Sequence, residues 1–213
     1  MNGRKISHID SILSEGGSAL RTLSGTSTCR RNSPANGHTE SKLSKNQITH
    51  IAGLMRVNHA GEICAQALYQ GQSVTAELSH VREEMEKAAE EEIDHLVWCE
   101  ARLKELGSTT SILNPLWYGL SFGIGVLAGK MGDKVSLGFV AATEERVAIH
   151  LRNHLDQLPE EDRKSRLILQ QMLVDEEIHG RNAIDFGGLE FARPIKKMMA
   201  AISLLMTKTS YWI

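Results

Sequence analysis

Residues 92–95 read Glu-Ile-Asp-His and residues 176–179 read Glu-Glu-Ile-His, so the sequence contains the pattern Glu-x-x-His twice. A further glutamate precedes each copy, Glu62 by 30 positions and Glu144 by 32. Because residues three apart lie on one face of an α-helix, each Glu-x-x-His presents both side chains in the same direction. The repeat predicts two antiparallel helical hairpins, each of which brings two glutamates and one histidine to the same level of a bundle.

The midpoint between the paired ligands of each hairpin fits a turn. In the second hairpin the midpoint is residue 160, beside Pro159, and a proline disfavours helix at the residue before it. In the first hairpin the midpoint is residue 77, and Ser79 is a candidate N-cap for the helix that follows. The turns predicted from the ligand spacing therefore coincide with local turn and cap signals.

The predicted ligands lie on apolar helix faces, where a charge needs a partner. Glu144, for example, is the only charged residue on a face made of Leu, Val and Ala. A buried carboxylate without a partner costs roughly several kcal/mol unless it is protonated or neutralised by a cation. Two divalent metal ions would remove that cost. The predicted metal ligands are Glu62, Glu92, His95, Glu144, Glu176 and His179.

The chemistry of this ligand set favours iron. Carboxylates and imidazoles without cysteine suit iron or manganese better than a structural zinc site, and iron is the first choice. A glutamate plus Glu-x-x-His from each pair of helices is the di-iron arrangement of ferritin-like bundles. We therefore predict an all-α, ferritin-like four-helix bundle that holds two iron ions, and the spacing leaves open which glutamates bridge them.

The composition sets the limits of the domain. The 213 residues carry 24 basic and 26 acidic side chains, which argues against nucleic acid as a partner. Residues 1–46 are predicted to be a flexible extension, with a linker at residues 33–37 and a short amphipathic helix before it. The di-iron domain is predicted over residues 47–213, so we expect deletion of residues 1–46 to leave metal loading intact.

Two apolar segments are predicted as additional helices. The crossover segment 111–130 contains Trp117 and Tyr118 and is uncharged from residue 113 to residue 129. It is too short and too rich in glycine for a membrane span, so it is predicted either to lie in the membrane interface or to pack against the bundle. Residues 194–213 form a second apolar helix with basic residues near its start. Both segments favour an amphiphilic substrate or a bilayer surface.

Longer strings around the predicted ligands resemble a known family. The chain is similar to the demethoxyubiquinone hydroxylases, flavin-independent di-iron monooxygenases of ubiquinone biosynthesis, from about His50 to the C-terminus, with residues 1–46 outside the resemblance. The resemblance implies hydroxylation of a polyprenylated demethoxybenzoquinol with dioxygen and two electrons, at a site that opens toward the membrane. It assigns iron to the same six ligands. The strings are Leu54-Met55-Arg56-Val57-Asn58-His59-Ala60-Gly61-Glu62, Glu92-Ile93-Asp94-His95-Leu96, Asn114-Pro115-Leu116-Trp117, Glu144-Glu145 and Asp175-Glu176-Glu177-Ile178-His179.

Further residues are candidates for contacts with the ligands or the quinol. Asn58 and His59 lie one turn before the first ligand, Arg56 and Tyr69 have the length to reach a quinol oxygen, and His150 is a candidate hydrogen-bond partner of a ligand. A packing or surface role is the alternative for each of them. No catalytic side chain is predicted beyond the metal centre.

The predicted location follows from the apolar segments and the resemblance. We expect a peripheral membrane protein on the cytoplasmic face of a bacterial cell membrane, with other proteins of ubiquinone biosynthesis as candidate partners. Asp10 and Glu15 count against a mitochondrial transit peptide, and the matrix face of the mitochondrial inner membrane is the alternative.

Two other functions compete with quinol hydroxylation. A ferritin-like protein that stores iron or reduces peroxide would share the metal site but would need no apolar segments. A metal-free helical interaction protein would leave its acids in solvent, and the position of Glu92, Glu144 and Glu176 on apolar faces argues against it.

Overall fold

The computed structural model describes residues 16–17, 19–40 and 42–213, and in this part of the chain all regular secondary structure is helical. This confirms the predicted all-α class. The helices with defined bounds are α1 (Lys45–Thr75), α2 (Ser79–Glu105), α3 (Asn114–Lys130), α4 (Asp133–Gln157), α5 (Arg163–Asp185) and α6 (Arg193–Ser210).

Helices α1, α2, α4 and α5 form the bundle, with α1 packed on α2 and α4 packed on α5 as two hairpins. Helix α1 ends at Thr75 and α2 begins at Ser79, whereas α4 ends at Gln157 and α5 begins at Arg163. Both predicted turns, at residues 77 and 160, are therefore confirmed. The spacing of the ligands alone located them.

The predicted N-cap at Ser79 is wrong. Ser79 is the first residue of α2, and Leu78 occupies the N-cap position without a side-chain cap. The backbone N–H groups of Glu77 and Leu78 instead donate to the carboxylate of Asp133, over 3.1 and 2.8 Å. An acid that opens α4 thus holds the two residues directly before α2, and the first turn of α2 has no side-chain cap.

Two apolar clusters fill the bundle above and below one polar level. One cluster lies toward the α4–α5 turn and includes Ile51, Leu54, Met55, Trp98, Leu103, Leu151, Leu169 and Met172. The other lies toward the α1–α2 turn and includes Ala65, Tyr69, Val81, Met85, Leu137, Val140 and Ala183. On each bundle helix the predicted metal ligands lie between these clusters, so the fold holds them in the interior.

Helix α3 lies directly on α1. A Cβ atom at Gly125 would be 2.3 Å from the carbonyl oxygen of Leu68, and one at Gly71 would be 2.3 Å from that of Phe122. The glycines therefore allow two backbones to touch and do not break the helix. The opposite face of α3 exposes leucines at positions 116, 120 and 127. The crossover segment thus packs on the bundle with one face and leaves an apolar face uncovered.

Helix α6 crosses α1 and α4 and also leaves apolar side chains exposed. The OH group of Tyr211 lies 2.6 Å from Nδ1 of His50, and the indole N–H of Trp117 donates to the Ser210 hydroxyl over 3.1 Å. Among the described helices, none combines the length and the hydropathy that a membrane crossing needs. The interfacial placement of α3 and α6 stays a prediction.

The chain before α1 lies against the bundle. Residues 34–37 form a turn, in contrast to the flexible linker expected at 33–37, because Ala35 is buried in the first apolar cluster. The predicted amphipathic helix falls largely on residues 1–15, outside the described residues, although residues 19–24 are helical. The domain boundary at residue 46 stays a prediction.

Candidate metal centre

The structure brings all the predicted metal ligands to one buried level of the bundle. They form two groups whose ligand atoms lie within 4.8 Å of one another. The first group is Glu62, Glu92, His95 and Glu176, and the second is Glu92, Glu144, Glu176 and His179. Because Glu92 and Glu176 belong to both groups, they are the pair that could bridge two metal ions, a choice that the sequence left open.

Both histidines turn the same ring nitrogen, Nδ1, toward the predicted glutamate ligands. Nδ1 of His95 lies 2.9 Å from Glu92, 3.2 Å from Glu176 and 3.6 Å from Glu62. Nδ1 of His179 lies 3.1 Å from Glu92 and 3.7 Å from Glu176. Each Nδ1 atom is therefore the candidate metal ligand, and each Nε2 atom points away from the centre.

The Nε2 atoms find acidic partners that the sequence analysis missed. Nε2 of His95 is 2.9 Å from Asp175, and Nε2 of His179 is 2.7 Å from Glu91. Each acid directly precedes the glutamate of the opposite Glu-x-x-His, so the two motifs support each other's histidine. The signal in the sequence was an acid before both motifs.

Unpaired acceptors show that the residues fit a cation. Within the described residues, several buried carboxylate oxygens and one ring nitrogen make no hydrogen bond of good geometry, and burying polar atoms in that state costs free energy. These atoms are Glu62 Oε2, Glu92 Oε1, both Oε atoms of Glu144, Glu176 Oε2 and His179 Nδ1. Divalent ions bound among these atoms would satisfy them. The ferritin-like pattern and the donor set together support a metal site.

In the metal-free cluster, burial and neighbouring charges raise the pKa of four ligands, whereas the nearby histidines lower the pKa of Glu92 and Glu176. Burial, reinforced by neighbouring carboxylates, raises the pKa of Glu62 and Glu144 well above the ordinary value. Burial opposes charge on His95, but the carboxylates around it outweigh burial and raise its pKa. For His179 the same balance raises the pKa to about 12. A metal ion must displace protons from these four groups to bind.

An apolar cavity leads from the surface to this centre. It has a volume of about 250 Å³, lies between α1, α3, α4 and α6, and reaches Glu62. Asn58, Arg146 and His150 also line it. Among the described residues, Nε of Arg146 and Nδ2 of Asn58 have no hydrogen-bond acceptor. The cavity therefore combines apolar walls with two free donors close to a predicted metal ligand.

Two of the additional candidate residues lie at this cavity. Asn58 holds Nδ1 of His154 through its amide oxygen at 2.8 Å, which leaves the amide N–H₂ directed elsewhere. Nε2 of His150 lies 3.1 Å from the hydroxyl of Ser203 on α6. Burial, aided by Arg146, lowers the pKa of His150, which favours the neutral imidazole. The structure thus places Asn58 and His150 where a substrate could contact them.

The other candidates have different partners. The guanidinium of Arg56 donates to the carbonyl oxygens of Thr109 and Tyr211, over 2.9 and 2.7 Å, and does not line the cavity. The side chain of His59 is buried beside α3, and burial lowers its pKa to about 4. Tyr69 packs in the second apolar cluster. The suggested quinol contacts of Arg56 and Tyr69 are therefore not supported, because neither side chain faces the cavity.

Comparisons with known proteins show which family the chain is similar to. The family model described as ubiquinone biosynthesis protein COQ7 matches residues 49–210. Proteins named 3-demethoxyubiquinol 3-hydroxylase from Pseudomonas syringae and Azotobacter vinelandii are 57% and 56% identical, over 99% and 100% of this chain and 98% and 99% of theirs. The similarity therefore includes residues 1–46, which the sequence analysis had placed outside the resemblance.

A solved structure shows the fold. A dodecameric thioferritin, the bacterioferritin-related protein from Bacteroides fragilis, superposes with a TM-score of 0.56 over 72% of this chain and 90% of that chain, at 17% identity. This confirms the predicted ferritin-like bundle. Because the family model covers most of the chain and relatives share more than half of its residues, the chain belongs to the family of the ubiquinone biosynthesis protein COQ7.

Proposed function

We propose that the protein hydroxylates the ring of a polyprenylated demethoxybenzoquinol, demethoxyubiquinol, at a di-iron centre held by the six buried ligands. Its relatives carry the name 3-demethoxyubiquinol 3-hydroxylase. In the overall reaction one atom of dioxygen enters a ring C–H bond. The other atom leaves as water, with two electrons and two protons supplied by a reductant. Bound iron would supply the activation of dioxygen.

The observation that carries the proposal is the mouth of the apolar cavity. Leu120 on α3 and Ile202 and Leu205 on α6 line the cavity, yet they are 53%, 55% and 61% exposed. Apolar side chains that line the cavity and are also exposed at its mouth suit a substrate with a long apolar tail. The ring would enter toward Glu62 while the prenyl chain stays outside.

A second cavity reaches the centre and suits a prenyl chain less well. It has a volume of about 610 Å³, lies beside α4 and α5, and touches Glu144 and Glu176. Its walls also carry Arg152, Lys196 and Glu190. Apolar chains avoid such surfaces because charged groups would lose water without gaining a partner. The quinol is therefore assigned to the cavity that reaches Glu62.

The residues around the cavity have distinct tasks in this proposal. The side chains of Arg146 and Asn58 offer free N–H donors, which would hold the oxygens of the quinol ring and fix its orientation. His150, whose pKa is lowered by burial, lines the same cavity and holds the Ser203 hydroxyl of α6. The apolar walls exclude water from the reacting carbon.

Complementation tests the reaction. A ubiquinone-deficient hydroxylase mutant would receive the intact chain, Glu144→Ala or Glu83→Ala, with quinones profiled by mass spectrometry. Glu83 is an exposed glutamate on α2, away from the ligands, and serves as the control. We expect the intact chain and Glu83→Ala to restore ubiquinone and Glu144→Ala to leave demethoxyubiquinone. Persistent demethoxyubiquinone with a soluble, iron-loaded intact chain would favour an iron-handling or peroxide-reducing protein.

The same proposal includes peripheral attachment to the cytoplasmic face of a bacterial membrane through α3 and α6. The protein should co-sediment with vesicles of phosphatidylcholine and phosphatidylglycerol. Leu127→Glu, on the exposed face of α3, should weaken binding about tenfold or more, since burying a leucine is worth about 1.5–3 kcal/mol. Val174→Glu, an exposed site on α5, is the control. Equal sedimentation of both variants would contradict this attachment.

A further inference from the structure

Arg31, in the segment before the bundle, contacts Asp175, the acid that supports the predicted ligand His95. Nη1 of Arg31 donates to Oδ2 of Asp175 and Nε donates to Oδ2 of Asp94, both over 2.8 Å. Asp94 is on α2 and Asp175 is on α5, so the guanidinium joins helices from different hairpins. Oδ2 of Asp175 is also the atom that lies 2.9 Å from Nε2 of His95.

Arg31 is itself held in place by α2. Oδ1 of Asp94 accepts the backbone N–H of Arg30 at 2.6 Å. The indole N–H of Trp98 donates to the carbonyl oxygen of Arg31 over 3.3 Å, and the guanidinium lies 5.0 Å from the centre of the Trp98 ring. Both the backbone and the head group of Arg31 are therefore fixed against the helix that carries His95.

The segment after Arg31 is also anchored. Ala35 is buried in the first apolar cluster. Further on, the carboxylate of Glu40 accepts two hydrogen bonds from Arg102, over 2.5 and 3.0 Å, and the Arg102 side chain is fully buried. Contacts at three points keep residues 30–40 on the bundle, so Arg31 has a defined position from which to act.

We propose that Arg31 is a positioning residue for the metal centre. By holding Asp175 it fixes the N–H of His95 at Nε2 and keeps Nδ1 directed at the metal position bounded by Glu62, Glu92 and Glu176. The proposal rests on the metal centre proposed above. Its physical basis is that a planar guanidinium holds two carboxylates in fixed directions, and that partners of a ligating histidine set its orientation.

The other half of the centre has no such brace among the described residues. Glu91, the partner of His179, has a side chain that is 41% exposed, and its cation neighbour is Lys87 at 3.8 Å. Arg31 is itself 42% exposed, but its partners Asp94 and Asp175 are only 5% and 13% exposed, whereas both Lys87 and Glu91 are largely in solvent. The Lys87–Glu91 pair therefore constrains geometry more weakly. Loss of Arg31 should therefore affect the metal bound by His95 and spare the metal bound by His179. Deletion of residues 1–46 removes Arg31 and should weaken the same site, in contrast to the intact metal loading expected from the sequence.

The experiment is an anaerobic titration of the full-length apo-protein with Fe²⁺ against a competing chelator. It compares wild type, Arg31→Gln and Arg30→Gln. The Arg30 side chain is exposed and pairs with exposed Glu90, so Arg30→Gln is the matched control. We expect Arg31→Gln to weaken one of two iron sites by about 10- to 100-fold and Arg30→Gln to leave both within about twofold.

Spectroscopy separates positioning from a purely structural role. With ⁵⁷Fe, Arg31→Gln should alter the Mössbauer signal of one iron and leave the other unchanged, and Arg31→Lys should restore part of the affinity. Unchanged affinity and spectrum at both sites would overturn the proposal. A lower melting temperature of the apo-protein with unchanged iron affinity would overturn it as well, because Arg31 would then only anchor the segment.

The experiment distinguishes failure of the role of Arg31 from failure of the metal centre itself. If Arg31→Gln does not fold, Asp175→Asn tests the same link, and equal iron binding by Asp175→Asn and wild type would overturn the proposal. If wild type binds fewer than two iron ions, the proposed di-iron centre fails and the role of Arg31 falls with it. Two iron sites in wild type that Arg31→Gln leaves intact would refute only the role of Arg31.

Discussion

The two halves of the metal centre share a sequence pattern but differ in how their histidines are supported. His95 is fully buried, and its partner Asp175 has a side chain that is 13% exposed and contacts Arg31. His179 is slightly exposed, and its partner Glu91 is 41% exposed. The comparison indicates that the repeat fixes the ligands, whereas segments outside the repeat determine how rigidly each ligand is held.

This asymmetry has a consequence for metal binding. Because rigid ligands lose less freedom when they bind a metal, the half that contains His95 should bind iron more tightly than the half that contains His179. Glu92 and Glu176 belong to both halves, so a change in either should abolish the distinction. Substitutions can therefore test the halves separately.

The largest effect should come from a shared ligand. Glu176→Gln removes a carboxylate that both groups use, and we expect the protein to retain fewer than one iron ion per chain. Glu62→Gln and Glu144→Gln each affect one group, and we expect about one iron ion to remain in each. Metal analysis after gel filtration measures this, with circular dichroism to show that helix content is unchanged. Equal iron loss in the three variants would contradict the assignment of shared and separate ligands.

A smaller effect should follow from the outer partners of the histidines. Asp175→Asn should weaken iron binding at one site by about 10- to 100-fold, since that carboxylate is largely buried and braced. Glu91→Gln should change affinity by less than about threefold, because solvent already screens Glu91. Chelator competition on both variants measures the difference. If Glu91→Gln has the larger effect, the proposed order of rigidity is reversed.

The effect that distinguishes the two halves least is that of pH, because groups with raised pKa values lie in both. The raised pKa values of Glu62, Glu144, His95 and His179 mean that the metal-free protein binds protons that iron must release. Iron affinity should therefore rise with pH, by about tenfold from about pH 6.5 to about pH 7.5 for each proton released. Titrations across this range measure the slope. A flat or falling profile would show that the ligands are already deprotonated.

Much of the site was predictable because it depends on spacing within helices. The Glu-x-x-His copies and the glutamates before them gave the ligands and both turns, since helix geometry relates positions along one chain segment directly to direction in space. The fold class followed from the same repeat. These inferences needed no knowledge of which surfaces meet.

The partners of those ligands were not predictable in this way. Asp175 supports a histidine on another hairpin, and Arg31 contacts Asp175 from 144 positions away in the sequence. No periodicity relates such residues, because their meeting depends on how hairpins and the N-terminal segment pack. Arg56 and Tyr69 illustrate the converse, since their positions near ligands in the sequence did not bring them to the cavity.

The most direct test of the central claim is a single turnover of the reduced, iron-loaded protein with a demethoxyubiquinol and ¹⁸O₂, followed by mass spectrometry of the quinone. We expect the intact chain and Glu83→Ala to place one ¹⁸O atom on the ring and Glu144→Ala to place none. Oxygen consumption by the iron-loaded intact chain without label in the quinone would contradict the hydroxylase assignment.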